Sequence, residues 1–192
     1  MILPIISYGQ SILRQKCKGI TQHYPDLDKL IDDMWETLYP ADGSGLAAPQ
    51  VNHPINLFIV DSKQMFDRME PEERIDFFVG DEGIKETFIN AKITNYSDDS
   101  WIDYEGCLSI PTISEEVKRP WTITIEYLDK DFQKQVKTYS GTTARVIQHE
   151  YDHTEGKLYL DHINPLKKKL LVGKLTNISK GHIKTKYKMI HS

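Results

Sequence analysis

One short segment combines side chains that can bind a metal ion with one that can act as a base. It is His149-Glu150-Tyr151-Asp152-His153, the pattern H-E-x-x-H. Residues four apart lie on one face of a helix, so both imidazoles would point the same way and could bind one ion. Glu150 would reach a water molecule on that ion and activate it. The pattern therefore predicts metal-assisted hydrolysis.

The same segment could be the solvated face of a charged helix, because Asp152 lies between the two histidines. Such a pattern arises by chance in about one chain in a few hundred of this length. Its context favours a metal site, since apolar residues precede it, Ser140 and Thr142 can begin a helix, and Gly156 can end one. We expect a helix over about residues 142–154.

A third ligand is needed, because a catalytic divalent ion usually has three protein ligands and one open position. In one group of metalloproteases the pattern continues as H-E-x-x-H-x-x-G-x-x-H, but Tyr159 stands where the third histidine should be. Other candidates nearby are Glu155, Asp161 and His162. Upstream, Cys107 follows Gly106, which permits an unusual backbone angle beside the thiol. A Cys/His/His site is one of the possibilities that the spacing leaves open.

A glycine-rich segment, Gly43-Ser44-Gly45-Leu46-Ala47-Ala48-Pro49-Gln50, carries the other candidate residues. Its small residues allow a backbone to come close to another group, although a tight turn between a helix and a strand would also explain them. It lacks the Lys-Ser/Thr of a phosphate-binding loop. Gln50 could be a surface amide, or it could donate its NH2 to a developing oxyanion.

Three segments together resemble the motifs of the peptide deformylases, G-x-G-x-A-A-x-Q, E-G-C-[LV]-S and Q-H-E-x-D-H. Here they are Gly43 to Gln50, Glu105 to Ser109 and Gln148 to His153, and every fixed position matches. The order, spacing and length are also similar, and the resemblance covers nearly the whole chain. It implies that residues 1–192 form a single peptide-deformylase-like catalytic domain.

The resemblance implies a reaction and a role for each residue. The reaction is removal of the N-formyl group from the starting methionine of new proteins, with release of formate. The implied metal ligands are Cys107, His149 and His153, the implied base and acid is Glu150, and the implied oxyanion donors are Gln50 and the N–H of Leu108. The residues expected to contact the substrate are Gly43, Ser44, Gly45, Gly106 and Val146. One divalent ion is implied, Fe(II) in the cell, with zinc, nickel or cobalt able to substitute.

Two features depart from the family pattern. Thr154 follows His153 where the family commonly has leucine, which would loosen the packing behind the helix. The stretch from about residue 63 to 86 is longer than in compact members, acidic, and apolar in its middle. Its role is open.

Hydrophobic periodicity predicts the remaining elements of one α+β domain. The expected elements are an early strand within residues 1–6, a helix over about 25–38, strands over about 55–60, 86–95, 122–127 and 132–139, and a last helix over about 164–178 that begins at Asn164-Pro165. Antiparallel strands would pack around the central metal-binding helix. The core of such a domain is substantial, because 39% of the 192 residues are hydrophobic.

The cysteines and the absence of targeting features predict a cytoplasmic protein. Cys17, which lies between two lysines, is interpreted as a small buried residue, so no disulfide framework is expected. Pro4 interrupts the apolar start, which also lacks a basic lead, and no apolar run is long enough to span a membrane.

Charge is distributed unevenly along the chain. From Asp161 onward there are eight lysines and one acid, a net charge of +7, so residues 1–160 carry about −11 of the total of −4. A solvated helix and tail would explain this. Alternatively, Lys167, Lys168, Lys169, Lys184, Lys186 and Lys188 would bind ribosomal RNA phosphates.

Two other functions remain as alternatives. A zinc endopeptidase would share the H-E-x-x-H helix but would need neither Cys107 nor the glycine-rich segment. A non-catalytic RNA-associated protein would hold a structural metal, usually through four protein ligands, and would not need Glu150.

Overall fold

The computed structural model describes all 192 residues, which form nine strands and six α-helices. The strands are β1 (Ile5–Ile6), β2 (Gly45–Ala47), β3 (Leu57–Asp61), β4 (Lys85–Tyr96), β5 (Ser100–Cys107), β6 (Ile110–Pro120), β7 (Thr122–Leu128), β8 (Lys134–Ser140) and β9 (Met189–Ile190). The helices are α1 (Leu27–Leu38), α2 (Lys63–Arg68), α3 (Pro71–Phe77), α4 (Gly141–Thr154), α5 (Pro165–Leu170) and α6 (Val172–Ser179). The predicted α+β class is confirmed.

A five-stranded antiparallel sheet in the order β2-β3-β4-β7-β8 forms the centre of the molecule. Every residue of β3 is buried because both faces of the sheet are covered. Leu57 and Ile59 pack in the cluster that includes α1, whereas Phe58 and Val60 pack in the cluster that includes α4. The period-two alternation of a strand thus directs alternate side chains into two cores.

Helix α4 carries the H-E-x-x-H segment and starts and ends within one residue of the predicted bounds. Nearly all of it is buried, which rules out the solvated helix considered above. Gly156 adopts a positive φ of 72°, and the N–H of Lys157 donates to the carbonyl of Asp152 at 2.8 Å. This arrangement is the glycine-dependent ending expected for a helix. Ser140 precedes the helix, but its side chain bonds to Thr122 instead of capping.

Strands β5 and β6 form a separate hairpin that was not predicted from the sequence. Leu108 and Ser109 make its two-residue turn, with Cys107 paired to Ile110. Ile110 packs in a cluster that includes α6, so the hairpin is fixed to the C-terminal helices. The hairpin thereby brings Cys107 toward α4.

The C-terminal helix differs from the prediction because it is divided into α5 and α6 at Leu171. The Asn164 side chain caps α5 by accepting a bond from the Leu166 N–H at 2.8 Å, as its position suggested. The Leu171 N–H closes α5 with a bond to Lys168, three residues back, and Gly173 disfavours helix just beyond. After α6 the chain returns, and β9 pairs in parallel with β1. None of the helices combines the length and apolar character needed to cross a membrane.

The acidic stretch from residue 63 to 86 folds into α2 and α3 and the approach to β4. Its apolar residues pack internally, with the ring of Phe66 edge-on to that of Phe78 at 5.3 Å. The Arg74 guanidinium lies over the Phe66 ring at 4.5 Å. The ring of Phe77 contacts that of Trp101, and this contact packs the acidic stretch against the β5–β6 hairpin.

Candidate metal centre

Three side chains converge at the point where the β5–β6 hairpin meets α4. One ligand atom each from Cys107, His149 and His153 lies within 4.8 Å of the other two. Cys107 ends β5, and the histidines lie one turn apart on α4 with their ring centroids 5.1 Å from each other. Cys107 Sγ is 3.3 Å from His153 Nε2. The three residues proposed from the sequence are therefore brought together.

The other candidates for a third ligand are engaged elsewhere. His162 Nε2 lies 2.7 Å from Asp152 Oδ2. Asp161 pairs with Arg14 and Lys168, and Glu155 pairs with Lys16. These contacts, which the sequence could not reveal, leave Cys107 as the remaining candidate for the third metal ligand.

A buried carboxylate orients His149. Its Nδ1 lies 2.9 Å from Glu105 Oε2, so the carboxylate accepts the Nδ1 proton and leaves Nε2 free. Glu105 also binds Arg119 Nε at 2.9 Å and Arg145 Nη1 at 2.7 Å. Burial opposes ionisation of Glu105, but Arg119 and His149 outweigh it and hold the Glu105 pKa well below its usual range. A histidine held in this way is typical of a metal ligand.

The buried charges continue along α4 through Asp152. Its Oδ2 accepts a bond from Arg119 Nη1 at 2.6 Å and faces His162. Neither Arg119 nor Arg145 was predicted as a site residue, because their partners are distant in sequence. The only local signal was a charged residue inside otherwise apolar surroundings, as at Arg145 between Ala144 and Val146.

Glu150 lies against the backbone of Gly45 in the edge strand β2. A Cβ at position 45 would be 2.6 Å from Glu150 Cγ, so any larger residue would displace the Glu150 side chain. Glu150 is 4% exposed, and its Oε2 has no hydrogen-bond partner. Burial raises the pKa of Glu150 to about 7. The result is a carboxylate aimed into the site with one free oxygen.

Gln50 is 1% exposed and is therefore not a surface amide. Its Oε1 accepts a bond from the Ala47 N–H at 2.8 Å, which sets the orientation of the amide. The NH2 group then faces Ser109 Oγ at 3.2 Å and Cys107 Sγ at 3.6 Å. Gln50 thus presents a donor beside the thiol, next to the turn that contains Leu108.

A cavity of about 660 Å³ opens onto these groups. Its walls include all the residues predicted to contact a substrate, namely Gly43, Ser44, Gly45, Gly106 and Val146, together with Gln50, Leu108 and Glu150. His153 is not among the lining residues and lies behind them. Met65, Met69 and Phe77 of the acidic stretch add an apolar wall, and residues 184–187 add a polar one; neither wall was predicted.

Gly106 does not adopt the unusual backbone angle that a glycine beside the thiol would permit. Gly106 lies within β5 opposite Ser114, and its φ is not positive. The change of direction occurs instead in the turn after Cys107, so Gly106 needs no left-handed conformation. A Cβ there would meet nothing nearer than the Ile113 carbonyl at 3.8 Å.

Two further sequence interpretations can be compared with the structure. Cys17 is 8% exposed and has no disulfide partner, and burial raises its pKa to about 11, as suits an unreactive core thiol. Thr154 is 1% exposed, and its hydroxyl donates to the Tyr151 carbonyl at 2.8 Å. The hydroxyl at this position, where the family commonly has leucine, therefore has a hydrogen-bond partner within the helix.

The donor set fits a divalent ion of the borderline-soft class. A thiolate and two imidazoles are characteristic of zinc, iron, cobalt and nickel sites. The Nδ1 bond of His149 leaves its Nε2 available as a ligand, and Glu150, whose buried Oε2 has no partner, lines the same cavity as His149. Three ligands with an adjacent carboxylate match a catalytic site more closely than a structural site with four ligands.

Comparisons with known proteins agree with this chemistry. The family model described as polypeptide deformylase matches residues 2–169. A peptide deformylase from Christiangramia forsetii is 49% identical over 189 residues, which cover 98% of this chain and 95% of the relative. One from Flavobacterium psychrophilum is 48% identical over 191 residues, covering 98% and 96%. A plant peptide deformylase crystal structure has a TM-score of 0.79 at 34% identity, covering 94% of this chain and 90% of that one.

The fold, the cavity and these relatives define the molecule as a metal-dependent hydrolase. More specifically, the chain belongs to the peptide deformylase family. Peptide deformylases are metalloenzymes that remove the N-formyl group from nascent peptides, so this chain is an enzyme of protein N-terminal processing. The zinc endopeptidase and the non-catalytic RNA-associated protein are not favoured.

Proposed function

We propose that Cys107, His149 and His153 hold one divalent ion and that Glu150 is the general base and acid of the deformylation reaction. The observation that carries this proposal is the convergence of the three ligand atoms within 4.8 Å. Glu150 supports it because a buried carboxylate with a free oxygen lies beside the same cavity. The proposed domain is the whole chain, residues 1–192.

The ion is proposed to be Fe(II) in the cell, with zinc, nickel or cobalt able to take its place. The support is the mixed sulfur and nitrogen donor set, which suits all four. When bound, such an ion polarises a carbonyl oxygen and lowers the pKa of water toward about 7.

Proton transfer is assigned to Glu150. The carboxylate accepts a proton from the attacking water as its oxygen forms a bond to the formyl carbon. It then donates that proton to the methionine nitrogen as the carbon–nitrogen bond breaks. The products are formate and a free methionine amino terminus, so every atom of the water is accounted for.

The oxyanion is assigned to two donors, the Gln50 NH2 group and the Leu108 N–H. Both residues line the cavity beside Cys107, and the Gln50 amide is held in the required orientation by Ala47. Donors that are fixed before the reaction lower the barrier because they need no reorganisation when charge develops.

The substrate peptide is proposed to bind extended along Gly43, Ser44 and Gly45. Strand β2 is an edge strand with β3 as its only neighbour in the sheet, so its other side is available for main-chain pairing. The methionine side chain would enter the cavity between Val146 and the apolar wall from the acidic stretch. That wall is formed by Met65, Met69 and Phe77.

Two further proposals concern the cell. Cytoplasmic location is supported by the proposed cysteine ligand, because that compartment keeps thiols reduced. Docking to ribosomal RNA is supported by the six lysines near the C-terminus, of which Lys167 and Lys168 pair with Glu116 and Asp161. No ion pair involves Lys169, Lys184, Lys186 or Lys188.

A matched pair of peptides tests the reaction. The metal-loaded protein would be incubated without oxygen with formyl-Met-Ala-Ser and, separately, with acetyl-Met-Ala-Ser. We expect formate from the first peptide and no acetate from the second. Cleavage of the Met–Ala bond in either peptide would instead support an endopeptidase.

A further inference from the structure

The C-terminal segment reaches the catalytic cavity from outside the span of the family model, which ends at residue 169. Residues 184–187 line the cavity. The segment is held by β9, since the Ile5 N–H donates to the Lys188 carbonyl and the Ser7 N–H donates to the Ile190 carbonyl, each at 2.9 Å. Residues just before β9 therefore form part of the active-site wall.

The paired chain ends bind the turn of the β5–β6 hairpin. The Tyr8 N–H donates to the Ser109 carbonyl at 2.8 Å. The Tyr187 hydroxyl donates to the Leu108 carbonyl, also at 2.8 Å. Both carbonyls of this two-residue turn are thus bound, one by each end of the chain.

This turn has unusual importance because it follows Cys107 directly and contains the Leu108 N–H. The pairing register shifts between Gly106 and Cys107, so the strand ladder is irregular just where this turn begins. A bond to the Leu108 carbonyl limits rotation about the same residue whose N–H must face the reacting oxygen. Small errors in such a direction weaken a hydrogen bond steeply.

We propose that Tyr187 is a positioning residue, whose hydroxyl holds the Leu108 carbonyl and thereby the direction of the Leu108 N–H. The inference rests on the oxyanion role proposed for Leu108. In this role the Tyr187 hydroxyl acts through the backbone of the turn and not on the reacting atoms.

The hydroxyl can be removed without detaching the segment. Tyr187→Phe retains the half-buried ring, while the backbone pairing of β1 with β9 remains. Gln10 supplies a matched control, because its Nε2 donates to the His191 carbonyl at 2.7 Å and so binds the same segment away from Leu108. Gln10→Met removes that bond but leaves the turn untouched.

The test compares both variants with the wild type in formate release from formyl-Met-Ala-Ser. For Tyr187→Phe we expect kcat to fall about three- to tenfold, as for one lost hydrogen bond, with KM changed less than about twofold, because the donor acts in the transition state. Gln10→Met should keep the wild-type kcat. Metal content should be the same in all three proteins, and the melting temperature should fall by a similar few degrees in the two variants, since each loses one hydrogen bond.

An NMR signature provides a second readout. The Ser109 amide shares its peptide group with the Leu108 carbonyl, so its ¹⁵N resonance in the zinc-loaded protein should move in Tyr187→Phe and remain in Gln10→Met. Wild-type kcat in Tyr187→Phe, an equal loss in Gln10→Met, or a loss confined to KM would overturn the proposal. A wild type that releases no formate would instead refute the proposed function, which separates the two failures.

Discussion

At the scale of single residues, the geometry of the site depends on Glu105 as much as on the metal ligands. Its carboxylate orients His149 and pairs with two buried arginines, Arg119 and Arg145. The ligands and Gln50 could be predicted because they stand in short motifs. Arg119 could not, because it lies 14 residues from Glu105 and 33 from Asp152 and belongs to no local pattern.

Replacing Glu105 with glutamine should weaken both folding and metal binding. Arg145 would lose its only carboxylate partner and Arg119 one of its two, which costs about 3–5 kcal/mol of unfolding free energy. Exchanging the carboxylate that accepts the His149 Nδ1 proton for a neutral amide should reduce metal affinity about 10- to 100-fold. Urea unfolding and titration against a competing chelator measure the two effects. Glu116→Gln, which breaks an exposed pair with Lys167, is the control and should cost under about 1 kcal/mol. Equal effects of the two substitutions would contradict this account.

Replacing Gly45 with alanine should damage catalysis more than stability. The new Cβ would displace the Glu150 side chain, and a shift of about 1 Å in a catalytic group can reduce the rate about a hundredfold. Formate release and thermal unfolding would be compared in the same preparation. Gly173→Ala is the matched control, because nothing lies within 4 Å of that Cβ. Wild-type turnover in Gly45→Ala would show that Glu150 is not constrained there.

At the scale of elements, long and strongly periodic segments were predictable and short or irregular ones were not. The bounds of helix α4 matched the predicted bounds to within one residue, because apolar spacing and Gly156 mark its extent. Strand β2 has only three residues and resembled a turn, because glycine begins it. The β5–β6 hairpin is exposed along much of both strands, so it lacks the apolar alternation that reveals a half-buried strand.

The turn that joins α4 to α5 should be stabilised by Asp161 in a pH-dependent manner. Burial opposes its ionisation, but bonds from Arg14, the Leu158 N–H and Lys168 lower the Asp161 pKa to about 2. A lowered folded-state pKa stabilises the protein above the unfolded value of about 4, and this contribution is lost as the pH falls through about 2.

Asp161→Asn should therefore reduce the free energy of unfolding at pH 7 by about 1 kcal/mol, allowing for solvent screening of a partly exposed group. The difference from wild type should shrink between about pH 4 and pH 2. Urea unfolding of the metal-free proteins at several pH values measures it. Asp131→Asn, at an exposed loop position, serves as the control. A difference that grew on acidification would refute the assigned sign.

At the scale of the whole molecule, the two ends of the chain meet beside the active site. Their pairing could not be predicted, because strands of two residues have no periodicity and nearly the whole chain separates β1 from β9. The charge asymmetry was visible in the sequence, since all but one of the charged residues from position 161 onward are lysines. Two of its lysines, Lys184 and Lys186, lie at the catalytic cavity.

If helix α5 docks on ribosomal RNA, replacing Lys167, Lys168 and Lys169 together with glutamine should reduce ribosome co-sedimentation at low salt. The slope of log affinity against log salt should fall by about 0.7 to 0.9 for each lysine–phosphate pair that the substitutions remove. Formate release from short peptides should not change. The control replaces Lys130, Lys134 and Lys137, which removes equal charge elsewhere. Equal reductions in both triple variants would indicate non-specific attraction, and no reduction in either would refute docking.

The central claim is that Glu150 transfers the proton in a hydrolysis supported by Cys107, His149 and His153. Its most direct test is formate release by Fe(II)-loaded wild type and Glu150→Gln without oxygen, with bound metal measured in both. We predict one ion per chain in each protein and a rate at least about a hundredfold lower in the variant. A Glu150→Gln protein that binds its metal and still releases formate at the wild-type rate would contradict the account.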